Sequence, residues 1–220
     1  MIEKFYYWLH KKFSKPEEAS EYSRGYWQNK VRSMAIELCQ KRKGRLLEVG
    51  CGEGLFLTRL ALANKGVEIY GIDRWEEILQ KSITKFKEKD IKNVKLSLAD
   101  AASLPFRNSY FDTIVCINVI LSLESQDIVK NVLNEMARVC KRGGRVIFDF
   151  RNSKNLLLNL KYKLAPYYDR TVRGLPLKTY SFEEMHTLSK TMGFKIINKI
   201  PMGFPIKRIA PIIILELEKK

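Results

Sequence analysis

No C-x-x-C pair occurs among the four cysteines, Cys39, Cys51, Cys116 and Cys140, which excludes a cysteine-based metal framework and reads as thiol usage of a reducing, cytoplasmic interior. No stretch reaches the roughly 18 consecutive apolar residues of a membrane-spanning helix. Residues 1–13 are apolar and basic but offer no small-residue cleavage site, so they do not read as a secretory signal. Internal repeats and low-complexity linkers are missing. With 45% hydrophobic and 29% charged side chains, 220 residues suit one full-sized domain plus an accessory segment.

Acidic residues are the scarcer charge, 24 against 40 Lys and Arg, for a net charge of +16. The excess is uneven. Ten basic residues face five acidic ones over 1–43, sixteen face fourteen over 44–150, and fourteen face five over 151–220. A nearly neutral centre with basic flanks points to an anionic partner or surface, whether nucleic acid, acidic lipid or a phosphorylated small molecule, or else to a lysine-rich solvated surface.

The centre is organised around residues 45–54, Arg-Leu-Leu-Glu-Val-Gly-Cys-Gly-Glu-Gly. Leu46, Leu47 and Val49 form a short apolar run that breaks at Gly50, Gly52 and Gly54 before a helix-like 55–63. A strand feeding a glycine turn feeding a helix lets a ligand approach bare backbone beside free N–H donors. A dinucleotide fingerprint needs its third glycine at position 55, which is leucine, and a Walker loop needs a Gly-Lys-Ser/Thr that is missing.

Further along, 67–72 is an apolar strand ending at Asp73, nineteen residues after Gly54. A carboxylate at the tip of the second strand can accept both hydroxyl hydrogens of a ribose, or it can N-cap the helix expected over 75–88. Residues 93–98 alternate like a strand and lead to Asp100; 111–117 is a buried strand ending near Asn118; a helix over 124–140 is expected to stop in a C-cap at 141–144, before a fifth strand from Arg145. Ser181 and Glu184 make a capping box for a helix to Met192, and 193–200 and 211–217 read as closing strands. Strands alternating with helices predict a doubly wound α/β sheet whose ligands sit at the carboxyl ends of the strands, where the glycine turn, Asp73, Asp100, Asn118 and Asp149 all fall.

Residues 46–54 resemble motif I of the class I S-adenosylmethionine-dependent methyltransferases. Gly71-Ile-Asp73 resembles motif II, residues 99–106 motif III, Phe111-Asp112 the opening of motif IV, and residues 136–146 the helix-turn-strand that follows. The resemblance implies a Rossmann-like, mainly parallel sheet of seven strands in order 3-2-1-4-5-7-6 with an antiparallel closing hairpin, and S-adenosylmethionine as cofactor with S-adenosylhomocysteine as product. It implies that the backbone around Gly50, Cys51, Gly52 and Gly54 lines the methionine and ribose, that Glu48 orders the loop or the ligand's ammonium, and that Asp73 binds the ribose hydroxyls with Arg74 beside the adenine. Asp100 and the Ala101 N–H would read the adenine edge, Asn118 would border the meeting point of cofactor and acceptor, and Asp112 would be structural. The histidine pair frequent in the family after motif IV is replaced by Asn118-Val-Ile-Leu-Ser-Leu-Glu124, which puts a histidine base in doubt; Asp149 and His186 are the remaining candidates.

The flanks carry the acceptor question. A helical cap over 1–43 precedes the methyltransferase domain over 44–220, in which 151–180 reads as a lid-like insertion. Within the cap, residues 1–15 space aromatics and lysines as an amphipathic helix that either lies in a membrane interface or packs on its own domain. Tyr22, Tyr26 and Trp27, with Tyr167, Tyr168, Arg170 and Arg173 in the insertion, are candidate substrate contacts, aromatics for a planar group or the sulfonium and arginines for an anion. Their alternative is ordinary packing and solvated loop charge. A small or lipid-like acceptor is preferred over RNA, since neither an Asn/Asp-Pro-Pro-Tyr motif nor an appended nucleic-acid module is found. A SAM-binding regulatory or scaffold protein without catalysis is the non-enzyme alternative.

Overall fold

The computed structural model describes residues 26–169, 174–203 and 207–220. The 1–15 segment, Tyr22, Arg170 and Arg173 lie outside the described residues. The chain runs α1 (Tyr26–Cys39), β1 (Gly44–Val49), α2 (Leu55–Ala63), β2 (Val67–Asp73), α3 (Glu76–Glu88), β3 (Val94–Leu98), β4 (Phe111–Cys116), α4 (Gln126–Val139), β5 (Cys140–Arg151), α5 (Leu156–Tyr168), α6 (Phe182–Thr191), β6 (Phe194–Met202) and β7 (Ile212–Lys219). Seven strands form one sheet in the order β3-β2-β1-β4-β5-β7-β6, as the resemblance implied. The pairs among β1 to β5 are parallel, and β7 runs antiparallel to both β5 and β6.

The central strands are apolar on both faces because helices cover both. Leu47, Val49, Ile114, Cys116, Val146, Phe148 and Phe150 belong to one buried cluster with α4 and Met185 of α6. Leu46, Val115, Ile147, Ile212 and Ile214 belong to the other, with Val31, Ala35 and Cys39 of α1 and Phe56, Leu57 and Leu60 of α2. Each fully buried aliphatic or Phe side chain contributes about 1.5–3 kcal/mol. Strand alternation therefore assigns faces by parity. Glu48, Asp149 and Arg151 fall on the α1 side, and all three are buried.

Asp112 clamps the lower edge. Its Oδ2 accepts the Arg45 N–H at 2.9 Å and its Oδ1 the Lys141 ammonium at 2.6 Å, while a Cβ at Gly44 would collide with the same carboxylate.

One expected boundary is corrected. α4 ends at Val139, and residues 141–144 form no free C-cap but an irregularity inside β5, where Phe111 pairs with Cys140 and Thr113 with Arg145. Gly143 there has φ +71°, and Lys219 donates to the Cys140 carbonyl at 2.8 Å, so tertiary pairing holds the stretch in the sheet. The helix expected from Trp75 starts at Glu76, and that expected from Glu124 starts at Gln126, where the Ser125 hydroxyl accepts the Ile128 N–H at 3.2 Å. Among the described residues no helix is long and apolar enough to cross a membrane.

Candidate functional site

β1 ends where the chain must leave the sheet sharply. The N–H groups of Gly50 and Cys51 both donate to the Ile72 carbonyl at 2.9 Å, and Gly50, Gly52 and Gly54 all have positive φ, from +52° to +73°. A Cβ at Gly50 would strike Val119, whereas one at Gly52 would enter open space in the cleft. Helix α3 pins the loop from outside: the Ser82 hydroxyl donates to the Gly52 carbonyl at 2.7 Å and Lys85 to that of Glu53 at 2.8 Å.

Asp73, at the tip of β2, binds this loop to the next element. Its Oδ2 accepts the Gly52 N–H at 2.8 Å and its Oδ1 the Trp75 N–H at 3.1 Å. Trp75 occupies the N-cap position of α3. The N-cap alternative for Asp73 therefore gives way to a loop clamp whose two oxygens keep lone pairs for further donors. Asp100 is exposed, and its Oδ1 accepts the Ala102 N–H at 2.7 Å, which folds 99–102 along the cleft with Ala101 at its wall.

Glu48 is the electrostatic exception. It is 3% exposed, lines the cleft and, among the described residues, leaves Oε2 without a hydrogen-bond partner. Burial pushes its carboxyl well above the usual range; Arg32 pulls it down and the Asp73 charge pushes it up. Cys51 beside it is likewise pushed up, by burial first and then by Glu48 and Asp73, so this position supplies backbone rather than a thiolate.

The sign of the Glu48 shift makes a stability prediction. A folded-state value above the unfolded one, about 4.3, stabilises the fold fully only below the unfolded value and loses that contribution as pH rises through the folded one. Glu48→Gln therefore gains on the parent without ligand as pH rises from 4 to 7, by on the order of 1–3 kcal/mol, and the gain is smallest at pH 4. Thermal melts from pH 4 to 8 would show it, and a gap that widens on acidification would contradict it.

On the other side of the cleft, Asn118 has φ +60° and is held by two β5 residues. Its N–H donates to Asp149, and its Oδ1 accepts the Arg151 Nη2–H at 2.9 Å. Arg151 also pairs with Asp149 and donates from Nε to the Tyr162 hydroxyl at 3.1 Å. Both oxygens of Asp149 are thus engaged, and it is 1% exposed, so it is no free proton acceptor. His186 lies exposed on α6, its ring stacked on Phe182 at 5.7 Å between centroids, and is not at the cleft.

Together these residues border one cleft of about 1810 Å³. Glu48, Gly50, Cys51, Gly52, Asp73, Arg74, Asp100, Ala101 and Asn118 line it, while Gly54 lies behind the turn with Phe86 against it. Of the candidate substrate contacts, Tyr26, Trp27 and Tyr168 line it; Tyr167 does not, because the α5 register turns it outward at 81% exposure. Sequence reasoning missed Arg32, Trp75, Arg151, Lys161 and Tyr162, all cleft-lining. Arg151 was detectable, since it shares strand parity with Asp149.

Residues 40–197 match a family model described as a methyltransferase domain. A phosphatidylethanolamine N-methyltransferase of Cereibacter sphaeroides is 36% identical over 129 residues, which cover 57% of this chain and 61% of that protein, under two thirds of its length. A demethylmenaquinone methyltransferase of a Geobacillus species is 31% identical over 166 residues, covering 74% of this chain and 69% of the relative. Among solved structures, the PH0226 protein of Pyrococcus horikoshii superposes with a TM-score of 0.70 at 21% identity, over 98% of this chain and 99% of that one. The magnesium protoporphyrin IX methyltransferase of Synechocystis, solved with bound SAH, superposes with a TM-score of 0.66 at 19% identity, over 89% and 88%.

Proposed function

The chain belongs to the methyltransferase-domain family, with S-adenosylmethionine as its methyl donor, and we propose that it methylates an oxygen, nitrogen or carbon nucleophile on a small, lipid-like acceptor. The residues present fit the donor. A glycine turn leaves room at Gly52, a buried Glu48 oxygen lacks a partner for an ammonium, and Asp73 keeps acceptor capacity for a ribose. When bound, the donor supplies a methyl group made electrophilic by a sulfonium, with a neutral thioether as leaving group. The chain's task is then alignment and exclusion of water. Asn118, fixed by Asp149 and Arg151, borders the place where donor and acceptor halves of the cleft meet.

The observation that carries the acceptor class is the cleft itself. Small-molecule pockets run to about 300–1,000 Å³, and 1810 Å³ leaves a second compartment beyond a nucleoside-sized donor. Leu123, Leu157, Leu158, Tyr162, Leu175 and Leu177 also line the cleft, a surface suited to an apolar body rather than to a phosphate backbone. The names of the two relatives, one acting on phosphatidylethanolamine and one on demethylmenaquinone, support the same class.

Methyl-labelled donor incubated with the full chain and, separately, with organic-extracted lipids, water-soluble metabolites and bulk RNA tests the proposal. Label is expected in the organic-soluble products. Incorporation into RNA alone would replace this reading, and tight donor binding without transfer to any pool would favour a non-catalytic role.

A further inference from the structure

The cleft's lid helix carries an apolar surface that the cleft does not use. On α5, Leu156, Leu160, Leu164 and Tyr167 are between 48% and 81% exposed and do not line the cleft. At 100° per residue they fall within one 80° sector, with Lys163 at its margin. The sector beyond it, Leu157, Leu158, Lys161, Tyr162, Ala165 and Tyr168, lines the cleft. The helix thus has one apolar side turned to the cleft and another facing outward.

We propose that α5 docks the protein on an anionic membrane surface, with the outer leucine stripe lying in the headgroup region and Lys163 at the phosphate level. Apolar side chains flanked by a lysine whose stem can lie along the stripe are the pattern of an interfacial helix. Charge complementarity favours a leaflet. The region from 151 to 220 holds fourteen Lys and Arg against five acidic residues, and a lysine near an anionic surface adds about fivefold to partition. A second copy of the chain is the weaker occupant on area: a 13-residue helix is about 20 Å long and its stripe covers far less than the roughly 800 Å² per partner of a stable interface.

The stripe also adjoins a route inward. A shallow outer groove is bordered by Leu156, Leu160, Tyr162, Pro176 and Leu177. Tyr162 and Leu177 border the main cleft as well, so these two side chains form the partition between the outer groove and the acceptor compartment. Leu177 is held at φ +44° beside the Lys178 N–H, which donates to the Leu121 carbonyl at 2.7 Å. Docking through α5 places that partition at the membrane, where an apolar molecule can pass from leaflet to cleft without crossing water. The anchor is bound at the entrance by Asn155, which caps α5 through the Leu158 N–H at 2.7 Å and donates to the Ile209 carbonyl at 2.6 Å.

Flotation of the full chain with vesicles of phosphatidylcholine, with and without phosphatidylglycerol, tests membrane docking without any methyl transfer, so it stands or falls apart from the acceptor assignment. The parent is expected to float with the anionic vesicles, and Leu160→Glu with Leu164→Glu is expected to lower its partition by about tenfold or more. Both positions are solvent-exposed, and unchanged helical circular dichroism and Tm confirm that the double variant is folded. A parent that stays with the soluble fraction would overturn the proposal. So would a folded double variant that floats as the parent does, or one that turns a dimer into a monomer while neither protein binds vesicles.

Discussion

Replacing Arg151 with methionine is expected to destabilise the protein by about 3–5 kcal/mol, the range for breaking a buried ion pair from one side. Arg151 and Asp149 are 3% and 1% exposed and form a buried ion pair. Among the described residues the variant leaves Asp149 with the Asn118 N–H as donor. Methionine matches much of the aliphatic stem, so the lost volume is small and the effect reports charge rather than packing. Asp149→Leu combined with Arg151→Met removes both charges and should restore most of the loss, because the desolvation of the pair consumes most of its attraction. Urea unfolding of parent, single and double variants separates these cases. A single-variant loss under about 1 kcal/mol would mean that water reaches Asp149 and that the pair behaves like a surface one. The same substitution frees Asn118 Oδ1 and the Tyr162 hydroxyl, so transfer activity is expected to fall beyond what stability explains.

The central strands were legible because they are buried on both faces and appear as apolar runs, with breaks at the positions where β1 and β2 reach the ligand edge. The alternate glycines were legible for a related reason: a backbone at positive φ admits few residue types, so glycine marks the turn directly. The Ser181–Glu184 box was read from local chemistry alone and is formed, with both reciprocal bonds present. Where tertiary pairing decides, sequence reading failed. The Gly143-Gly144 pair has the look of a helix terminus, yet Cys140 is already paired with Phe111 and the glycines serve a bulge. α5 looked irregular because leucines occupy both its outer and its cleft-facing sides, which erases the polar half of an amphipathic repeat. The same cause hid the difference between Tyr167 and Tyr168, neighbours in sequence that a 100° rotation sends to opposite sides. Arg151 escaped notice as a strand-end charge, although its two-residue spacing from Asp149 on one sheet face was the available signal.

Asp73→Ala is expected to weaken S-adenosylmethionine and S-adenosylhomocysteine binding by about 100-fold to 1,000-fold. A hydrogen bond to a charged acceptor contributes about 1.5–3 kcal/mol, and the two ribose hydroxyls offer two. The carboxylate already holds the Gly52 and Trp75 N–H groups, so alanine also loosens the turn that faces the donor. Asp73→Asn divides the two contributions. Its amide oxygen can still accept from Gly52, leaving the turn in place while the charge is lost, and affinity is expected to fall only about tenfold. Asp100→Ala should also cost about tenfold at most, since Asp100 is exposed and fixes only the local 100–102 turn. Calorimetric titration of the three variants with both nucleosides gives the ranking Asp73→Ala, then Asp73→Asn and Asp100→Ala together. An Asp73→Ala protein that keeps its affinity within about threefold of the parent would show that the ribose is gripped elsewhere, and the clamp between β2 and the glycine turn would then be architecture alone.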